Sequence, residues 1–252
     1  MGPVASTTFT VHGRRVGWHT YGDPDGRPIL FVPGWGMMLG GYRIALDALA
    51  RSGWAVHACD LPGFGRSEPL PPLRSTLGGH AEFVAEAHRL GPLAGEPLPV
   101  AGHSFGAGIA ARAAATELTT FAALLLICPV GGAGSSVWSW LSLARGMLLE
   151  VNQELAIRAS DSLTTLVRHP LPLSLSAYAA KTADLTRELT TLHLRDVPAH
   201  LVLADHDSIV PAGQLRVAPS ASTRVVVGNH GWMLRNPQDF ADTAHRVLAS
   251  AA

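Results

Sequence analysis

The stretch that decides the fold is Leu98-Pro99-Val100-Ala101-Gly102-His103-Ser104-Phe105-Gly106-Ala107, where an apolar run leads into a Gly-x-Ser-x-Gly pentapeptide. An Ala-rich segment continues from Ala107 to Thr116. This order predicts a strand, a sharp turn with Ser104 at its apex, and a helix. Gly102 and Gly106 lack the Cβ atoms that would collide in so tight a bend. The Ser104 hydroxyl would then be exposed at the end of a strand, available as a nucleophile.

The pentapeptide is weak support by itself, because chance supplies a Gly-x-Ser-x-Gly match in roughly one chain in ten of this length. A Gly-rich turn with a solvated serine fits the same residues. The remainder of the chain must decide, because a serine nucleophile needs a histidine base, a carboxylate that orients the base, and donors for the oxyanion.

The composition indicates one folded domain of the α/β class. The chain has 252 residues, of which 47% are hydrophobic and 15% charged, so it is too apolar for a disordered chain. Nineteen basic and nineteen acidic residues cancel, which argues against nucleic acid and anionic membranes as partners. No apolar stretch approaches the roughly 20 residues that a membrane span requires. The first residues do not resemble a secretory signal, so we expect a cytoplasmic protein.

Short apolar runs alternate with helix-like spacing along most of the chain. An opening hairpin is followed by this alternation, which predicts a mostly parallel sheet with helices on both faces. The predicted strands are Thr8–His12, Arg15–His19, Ile29–Val32, Trp54–Cys59, Leu98–Ala101, Phe121–Cys128, Ala199–Ala204 and Thr223–Val227. The predicted helices of this part are Gly41–Arg51, Thr76–Leu90, Ala107–Thr116 and Pro237–Ala249.

The alternation stops between residues 131 and 196, where helical spacing continues without a strand. We interpret 131–196 as a helical cap inserted into a core formed by 1–130 and 197–252. The alternative is a surface excursion that has no role in the site.

The base and the acid are chosen by context and chain order. His230 follows the strand that ends at Val227, which places it on a loop at the carboxyl end of the sheet. Its acid must then be Asp205 or Asp207, which follow the strand ending at Ala204, because 124–137 contains no Asp or Glu. We favour Asp207, since it begins Asp207-Ser208-Ile209-Val210-Pro211, where an apolar pair and a proline make a fixed turn that can aim the carboxylate. Asp205 is more typical of a residue that forms a turn or caps a helix.

Two main-chain amides are candidates for the oxyanion hole. Phe105 directly follows the nucleophile at a helix N-terminus, where the dipole favours negative charge. Trp35 lies in Pro33-Gly34-Trp35-Gly36, after the strand that ends at Val32. A plain tight turn is the alternative for this loop.

With these residues assembled, the chain resembles the α/β-hydrolase superfamily over essentially its whole length. The resemblance rests on Gly34-Trp35-Gly36, Asp60-Leu61-Pro62-Gly63-Phe64-Gly65-Arg66-Ser67, the Ser104 elbow, the Asp207 turn and His230. It implies the α/β-hydrolase fold with a mostly parallel eight-stranded sheet, and a Ser104, Asp207 and His230 triad. Trp35 and Phe105 would supply the oxyanion donors. The chain departs from many relatives at Pro33-Gly34, where they carry His-Gly, which concerns the local loop geometry more than the donor.

The resemblance also bears on the two cysteines. The implied strand order separates the strands of Cys59 and Cys128 by three steps, or about 14 Å. A disulfide requires Cα atoms within about 7 Å, so we expect two free thiols.

Other readings have weaker support. Gly106–Ala111 fits a loose dinucleotide fingerprint, but it begins inside the helix and no acid ends the next strand. The run Asp205-His206-Asp207 offers metal ligands without a helical His pair or Cys cluster, so we predict no metal and no cofactor. A lyase, a cyclase or a ligand receptor can share the fold and the triad.

The sequence therefore predicts a serine hydrolase that cleaves a carboxylic ester or related acyl bond through an acyl-enzyme. The same triad also serves carbon–carbon bond hydrolases and perhydrolases. The expected partner is a small-molecule substrate, an apolar ester or acyl compound of moderate size. Its identity and the oligomeric state of the protein stay open. A common cavity is predicted from Trp35, Met37, Trp138, Trp140, Met147, Trp232 and Met233.

Overall fold

The computed structural model describes residues 3–116, 118, 121–131, 167–211 and 222–248. Within these ranges the chain forms eight strands. They are β1 (Ala5–Val11), β2 (Arg14–Tyr21), β3 (Arg27–Val32), β4 (Trp54–Cys59), β5 (Leu98–His103), β6 (Phe121–Ile127), β7 (Ala199–Ala204) and β8 (Ser222–Val226).

The described helices connect or follow these strands. They are α1 (Leu39–Arg51), α2 (Leu77–Leu90), α3 (Phe105–Ala115), α4 (Pro170–Thr182), α5 (Thr186–Leu194), α6 (Trp232–Arg235) and α7 (Pro237–Leu248), with a short 3₁₀ turn at Pro72–Arg74. Across the described ranges, no helix has the length and apolar character needed to cross a membrane.

All eight strands belong to one sheet in the order β1-β2-β4-β3-β5-β6-β7-β8. The β1·β2 and β2·β4 pairs are antiparallel, and the other five pairs are parallel. This confirms the predicted mostly parallel eight-stranded sheet. The cysteine-bearing ends of β4 and β6 lie three steps apart in this order, and both Cys59 and Cys128 are free and buried.

The sheet has a hydrophobic core on each face, as a parallel sheet requires. One cluster of buried side chains joins α2 and α3 to the sheet, for example through Val84 and Ala110. The other joins α1 and α7 to the opposite face, for example through Leu46 and Phe240. The carboxyl ends of β3, β5, β7 and β8 are therefore held on a rigid base, from which the loops with the predicted site residues emerge.

Part of the predicted cap is described. Residues 167–196 carry α4 and α5, while 132–166, including Trp138, Trp140 and Met147, lie outside the described residues. An ion pair joins α5 to α3, with 2.6 Å between Arg112 Nη2 and Glu188 Oε1. Arg195 also donates a hydrogen bond to the Ala114 carbonyl over 3.2 Å. These contacts fix the described part of 131–196 to the helix that follows Ser104.

Candidate active site

The turn at Ser104 is tighter than the sequence pattern indicated. Strand β5 continues to His103 and α3 begins at Phe105, so a single residue makes the turn. Ser104 has φ 55° and ψ −118°, a backbone conformation that is costly for a residue with a side chain. Its main-chain N–H donates to the Ile127 carbonyl over 2.8 Å, which ties the turn to β6.

The flanking glycines are required by close backbone contacts. A Cβ on Gly102 would lie 2.6 Å from the Ala107 Cα atom. A Cβ on Gly106 would lie 2.2 Å from the Val32 carbonyl oxygen. Both contacts are with backbone, which cannot move aside, so the two glycines allow β5, α3 and the end of β3 to meet around Ser104.

Asp207 and His230 meet as a buried pair. Asp207 follows β7, His230 follows β8, and Asp207 Oδ2 lies 2.8 Å from His230 Nδ1. The other carboxylate oxygen accepts hydrogen bonds from the main-chain N–H groups of Ile209 (2.9 Å) and Val210 (2.7 Å). These bonds fix the Asp207 carboxylate, so His230 donates through Nδ1 and its Nε2 is left as an acceptor when the ring is neutral.

His230 also contacts His103, the residue that directly precedes Ser104. The rings of His103 and His230 have centroids 5.0 Å apart. His103 Nε2 lies 2.9 Å from the main-chain oxygen of His230. The base candidate is therefore held against the strand end that carries the nucleophile candidate.

Asp205 has a different set of contacts from Asp207. One of its carboxylate oxygens accepts from the Gly228 N–H over 2.9 Å and lies 2.6 Å from His206 Nδ1. The Gly228 N–H, and to a smaller extent His206, lower the pKa of Asp205. Asp205 is exposed, and through the Gly228 N–H its carboxylate joins the loops after β7 and β8.

A third group lies beside the Asp207–His230 pair and was not recognised in the sequence. The Cys128 thiol, a carboxylate oxygen of Asp207 and a ring nitrogen of His230 lie within 4.8 Å of one another, and all three residues are buried. This is the one group of metal-ligating type within the described ranges. A metal ion there would have to replace the proton that His230 shares with Asp207. No local pattern predicts this contact, because Cys128 resembles a small apolar residue at the end of a predicted strand.

The two predicted oxyanion donors lie where the β3 and β5 strands end. Phe105 is the first residue of α3 and is fully buried. The amide that precedes Trp35, that of Gly34, donates to the Tyr42 hydroxyl over 2.9 Å and is therefore committed to another partner. The Trp35 indole donates to Ser176 Oγ in α4 over 2.9 Å, so this loop contacts the predicted cap.

Three of the predicted cavity residues are part of the core. Met37, Trp232 and Met233 are buried in the cluster that joins α1 and α7 to the sheet. We therefore assign them a packing role. Trp35 is partly buried against the cluster on the other face. The short helix α6, which the sequence analysis missed, carries Trp232 and Met233 into the core directly after His230.

Comparison with known proteins agrees with this architecture. The sequence profile described as the alpha/beta hydrolase family matches residues 29–243. The chain belongs to the alpha/beta hydrolase family.

Two solved structures illustrate how widely the fold of this alpha/beta hydrolase occurs. A hydrolase from Pseudomonas aeruginosa PA01 has a TM-score of 0.77 at 19% identity, with 97% of this chain and 98% of that chain covered. The enol-lactonase from Burkholderia xenovorans LB400 also has a TM-score of 0.77, at 18% identity, with coverage of 96% and 100%. At these identities the likeness concerns the fold alone.

One curated relative is similar in sequence over part of the chain. The dihydrolipoyllysine-residue acetyltransferase component of the acetoin cleaving system from Cupriavidus necator is 37% identical over 103 residues. The match covers 41% of this alpha/beta hydrolase and 26% of that relative. The chain thus matches about a quarter of the relative's length.

Proposed function

We propose that this alpha/beta hydrolase is a serine esterase that cleaves a carboxylic ester through an acyl-enzyme intermediate. The single observation that carries the proposal is the buried 2.8 Å contact between His230 Nδ1 and Asp207, held against the Ser104 turn. An acid that fixes the ring through Nδ1 leaves Nε2 to accept the proton of a serine. The family membership supports hydrolytic chemistry in general.

In the acylation step, Ser104 Oγ attacks the ester carbonyl and His230 Nε2 takes its proton. Asp207 stabilises the imidazolium, while the Trp35 and Phe105 amides donate to the oxyanion. When the tetrahedral intermediate collapses, the carbon–oxygen bond to the leaving alkoxide breaks and His230 returns the proton to it. Water then attacks the acyl-enzyme, with His230 again as the base, and releases the acid and Ser104.

We further propose that residues 131–196 form a cap over the core formed by 1–130 and 197–252. The proposal is supported by a hydrogen bond between Trp35 and Ser176 in α4. Trp35 belongs to residues 33–36, the loop after β3 that carries one proposed oxyanion donor and is called the oxyanion loop below. The proposal is also supported by the Arg112–Glu188 ion pair. A cap at this place would cover the acyl or alkyl group of the substrate and keep water from the reacting centre.

The expected substrate is a small molecule, an apolar ester of moderate size. The proposed reaction uses no cofactor. The main-chain amide of Trp35 is a proposed oxyanion donor, and its indole contacts the cap region through Ser176. Trp138, Trp140 and Met147 remain candidates for the apolar lining.

The proposal is tested with p-nitrophenyl esters from acetate to palmitate, assayed with the wild type, Ser104→Ala and Ser174→Ala. Ser174 lies on the exposed side of α4 and serves as the matched serine control. We expect Ser104→Ala to lose turnover and labelling by a fluorophosphonate probe, while Ser174→Ala keeps both. The chain length with the highest kcat/KM measures the acyl pocket. A wild type without turnover and without labelling at Ser104 contradicts the proposal and favours a receptor or lyase.

A further inference from the structure

His103, the residue before the Ser104 turn, has a hydrogen bond at each ring nitrogen. Its Nδ1 lies 2.8 Å from the Tyr42 hydroxyl oxygen, and its Nε2 lies 2.9 Å from the main-chain oxygen of His230. The Tyr42 hydroxyl in turn accepts from the Gly34 N–H over 2.9 Å. Tyr42 and His103 are both buried.

The chemistry of the partners fixes where the protons lie in this chain of bonds. A carbonyl oxygen only accepts, so His103 Nε2 carries a proton and donates to His230. In a neutral ring with its proton on Nε2, Nδ1 is an acceptor for the Tyr42 hydroxyl proton. The Tyr42 oxygen then accepts from Gly34. A single arrangement of protons therefore satisfies all three bonds, and it runs in one direction from Gly34 to His230.

The chain of bonds joins segments that are distant in sequence but adjacent in the proposed mechanism. Gly34 precedes the oxyanion donor Trp35, His103 precedes Ser104, and the chain ends on the main chain of His230. The fit around Gly34 is close, because a Cβ there would lie 2.9 Å from the Tyr42 hydroxyl and 3.2 Å from the Ser104 Cβ. Glycine at position 34 thus allows the oxyanion loop to approach Tyr42 and the nucleophile together.

We propose that Tyr42 and His103 form a positioning relay, meaning a chain of hydrogen bonds that fixes the oxyanion loop and the loop of His230 in their positions relative to Ser104. This inference rests on the proposed esterase function. Tyr42 and His103 act on the reaction through other residues and do not contact the reacting atoms in the proposed mechanism. Their effect is to fix the Trp35 amide and the His230 ring, which act on charge that develops in the transition state. Loss of the relay should therefore lower kcat and leave KM nearly unchanged.

The alternative is that the two residues only stabilise the fold. A buried histidine with two satisfied nitrogens serves that purpose in many proteins. The two roles differ in one measurable respect. A purely stabilising contact lowers the melting temperature while each correctly folded site keeps its wild-type kcat, whereas a positioning contact lowers the kcat of each folded site.

Three variants divide the relay into its parts. Tyr42→Phe removes the hydroxyl, and His103→Gln keeps a donor that can reach the His230 carbonyl while losing the acceptor for Tyr42. His103→Asn keeps the acceptor at the Nδ1 position and loses the donor to His230. Tyr178→Phe, an exposed tyrosine on α4, is the matched control.

We measure kcat and KM on a p-nitrophenyl ester, with the active sites counted by end-point fluorophosphonate titration. The two His103 variants each lose one buried hydrogen bond, and Tyr42→Phe loses two, because Gly34 also loses its acceptor. Each variant should lower kcat per titrated site by at least roughly 10-fold and change KM less than about threefold. Tyr42→Phe already removes the bond that His103→Gln removes, so the double variant should be little slower than Tyr42→Phe alone. Tyr178→Phe should match the wild type.

The outcomes separate this inference from the proposed function. If Ser104→Ala abolishes turnover but the three variants keep the wild-type kcat per titrated site, the relay is wrong and the serine esterase stands. If Ser104→Ala keeps turnover, the esterase assignment itself is wrong. Because the variants change different side chains, a folding failure of one leaves the other two to decide.

Discussion

Two Asp–His pairs in this molecule look alike at short range, each with a buried carboxylate. His230 Nδ1 lies 2.8 Å from Asp207, and His19 Nε2 lies 3.1 Å from Asp60. In both pairs the carboxylate also accepts a main-chain N–H, from Val210 in one case and from Arg66 in the other. The distances and the carboxylate contacts alone would therefore nominate both pairs as a catalytic base with its acid.

The two pairs differ in the ring nitrogen that faces the carboxylate. His230 uses Nδ1, so Nε2 remains an acceptor that can take a proton from Ser104. His19 uses Nε2 for Asp60, and its Nδ1 lies 2.9 Å from the Ser6 hydroxyl, which donates to it. Both nitrogens of His19 are thus occupied. An Asp–His pair becomes a general base only where one nitrogen stays available to a nucleophile.

The surroundings of Asp60 show what its pair does instead. A Cβ on Gly17 or Gly65 would lie 2.4 Å and 2.3 Å from the Asp60 carboxylate. The Ser67 hydroxyl donates to the Asp60 main-chain oxygen over 2.7 Å and accepts from the Gly17 N–H. The carboxylate is therefore enclosed by the loop that follows β4, and it joins that loop to β2.

The largest expected effect separates the two histidines. His230→Gln should lower kcat by on the order of a million-fold, as for the loss of a general base from a serine triad. His19→Gln should keep kcat within about threefold, because His19 has no free nitrogen to lose. Steady-state turnover of a p-nitrophenyl ester measures both. Equal losses in the two variants would contradict the distinction drawn from the ring nitrogens.

The next effect concerns the acids after β7. Asp207→Asn should lower kcat by on the order of ten thousand-fold, since the amide no longer stabilises the imidazolium or fixes its tautomer. Asp205→Asn is the neighbouring control and should change kcat less than about fivefold. The same ester assay compares them. A larger loss with Asp205→Asn would move the acid to position 205.

Asp60→Asn should affect stability and leave the chemistry unchanged. Removing the charge of the buried Asp60 carboxylate leaves His19 and the Arg66 N–H with a poorer acceptor, which should lower the free energy of unfolding by about 3 kcal/mol. Urea unfolding measures the loss, and kcat per titrated site should stay within about threefold of the wild type. A large fall in kcat with unchanged stability would place Asp60 in the catalytic machinery.

The smallest effect comes from a histidine that is buried without a carboxylate partner. Burial lowers the pKa of His80 to about 4, although its hydrogen bond to the Thr76 carbonyl opposes the shift. The pKa of this residue is near 6.5 in the unfolded chain. Between about pH 6.5 and about pH 4 the unfolded chain therefore binds a proton at His80 more readily than the folded protein does. Stability is therefore complete above about pH 6.5 and declines as the pH falls towards about 4.

At pH 5 this single group should cost about 2 kcal/mol of unfolding free energy relative to pH 7.5. Urea unfolding at the two pH values measures the difference. His80→Gln should reduce it by about that amount, whereas His193→Gln, at an exposed position on α5, should leave it unchanged. An identical pH dependence in wild type and His80→Gln would contradict the assignment.

Much of the fold was predictable because its signals are local. The β7 bounds agree residue by residue, and α2 begins directly after Thr76, whose side chain accepts from the Gly79 N–H as an N-cap. The end of β5 and the start of α3 were each misplaced by two residues, since the turn at Ser104 is made by one residue. Helix α6 was missed because four residues are too few for a periodic pattern.

The sequence by itself determined the succession of strands and helices along the chain, the Ser104 turn and the candidates Asp207 and His230. Apolar periodicity, glycine positions and chain order can all be taken from neighbouring residues. Only the tertiary structure decided which nitrogen of each histidine faces its carboxylate. It also decided that Tyr42, 61 positions from His103, lies within 2.8 Å of it. Met37, Trp232 and Met233 belong to the core for the same reason. Such contacts depend on how the helices pack on the two faces of the sheet, and no local pattern in the chain records that packing.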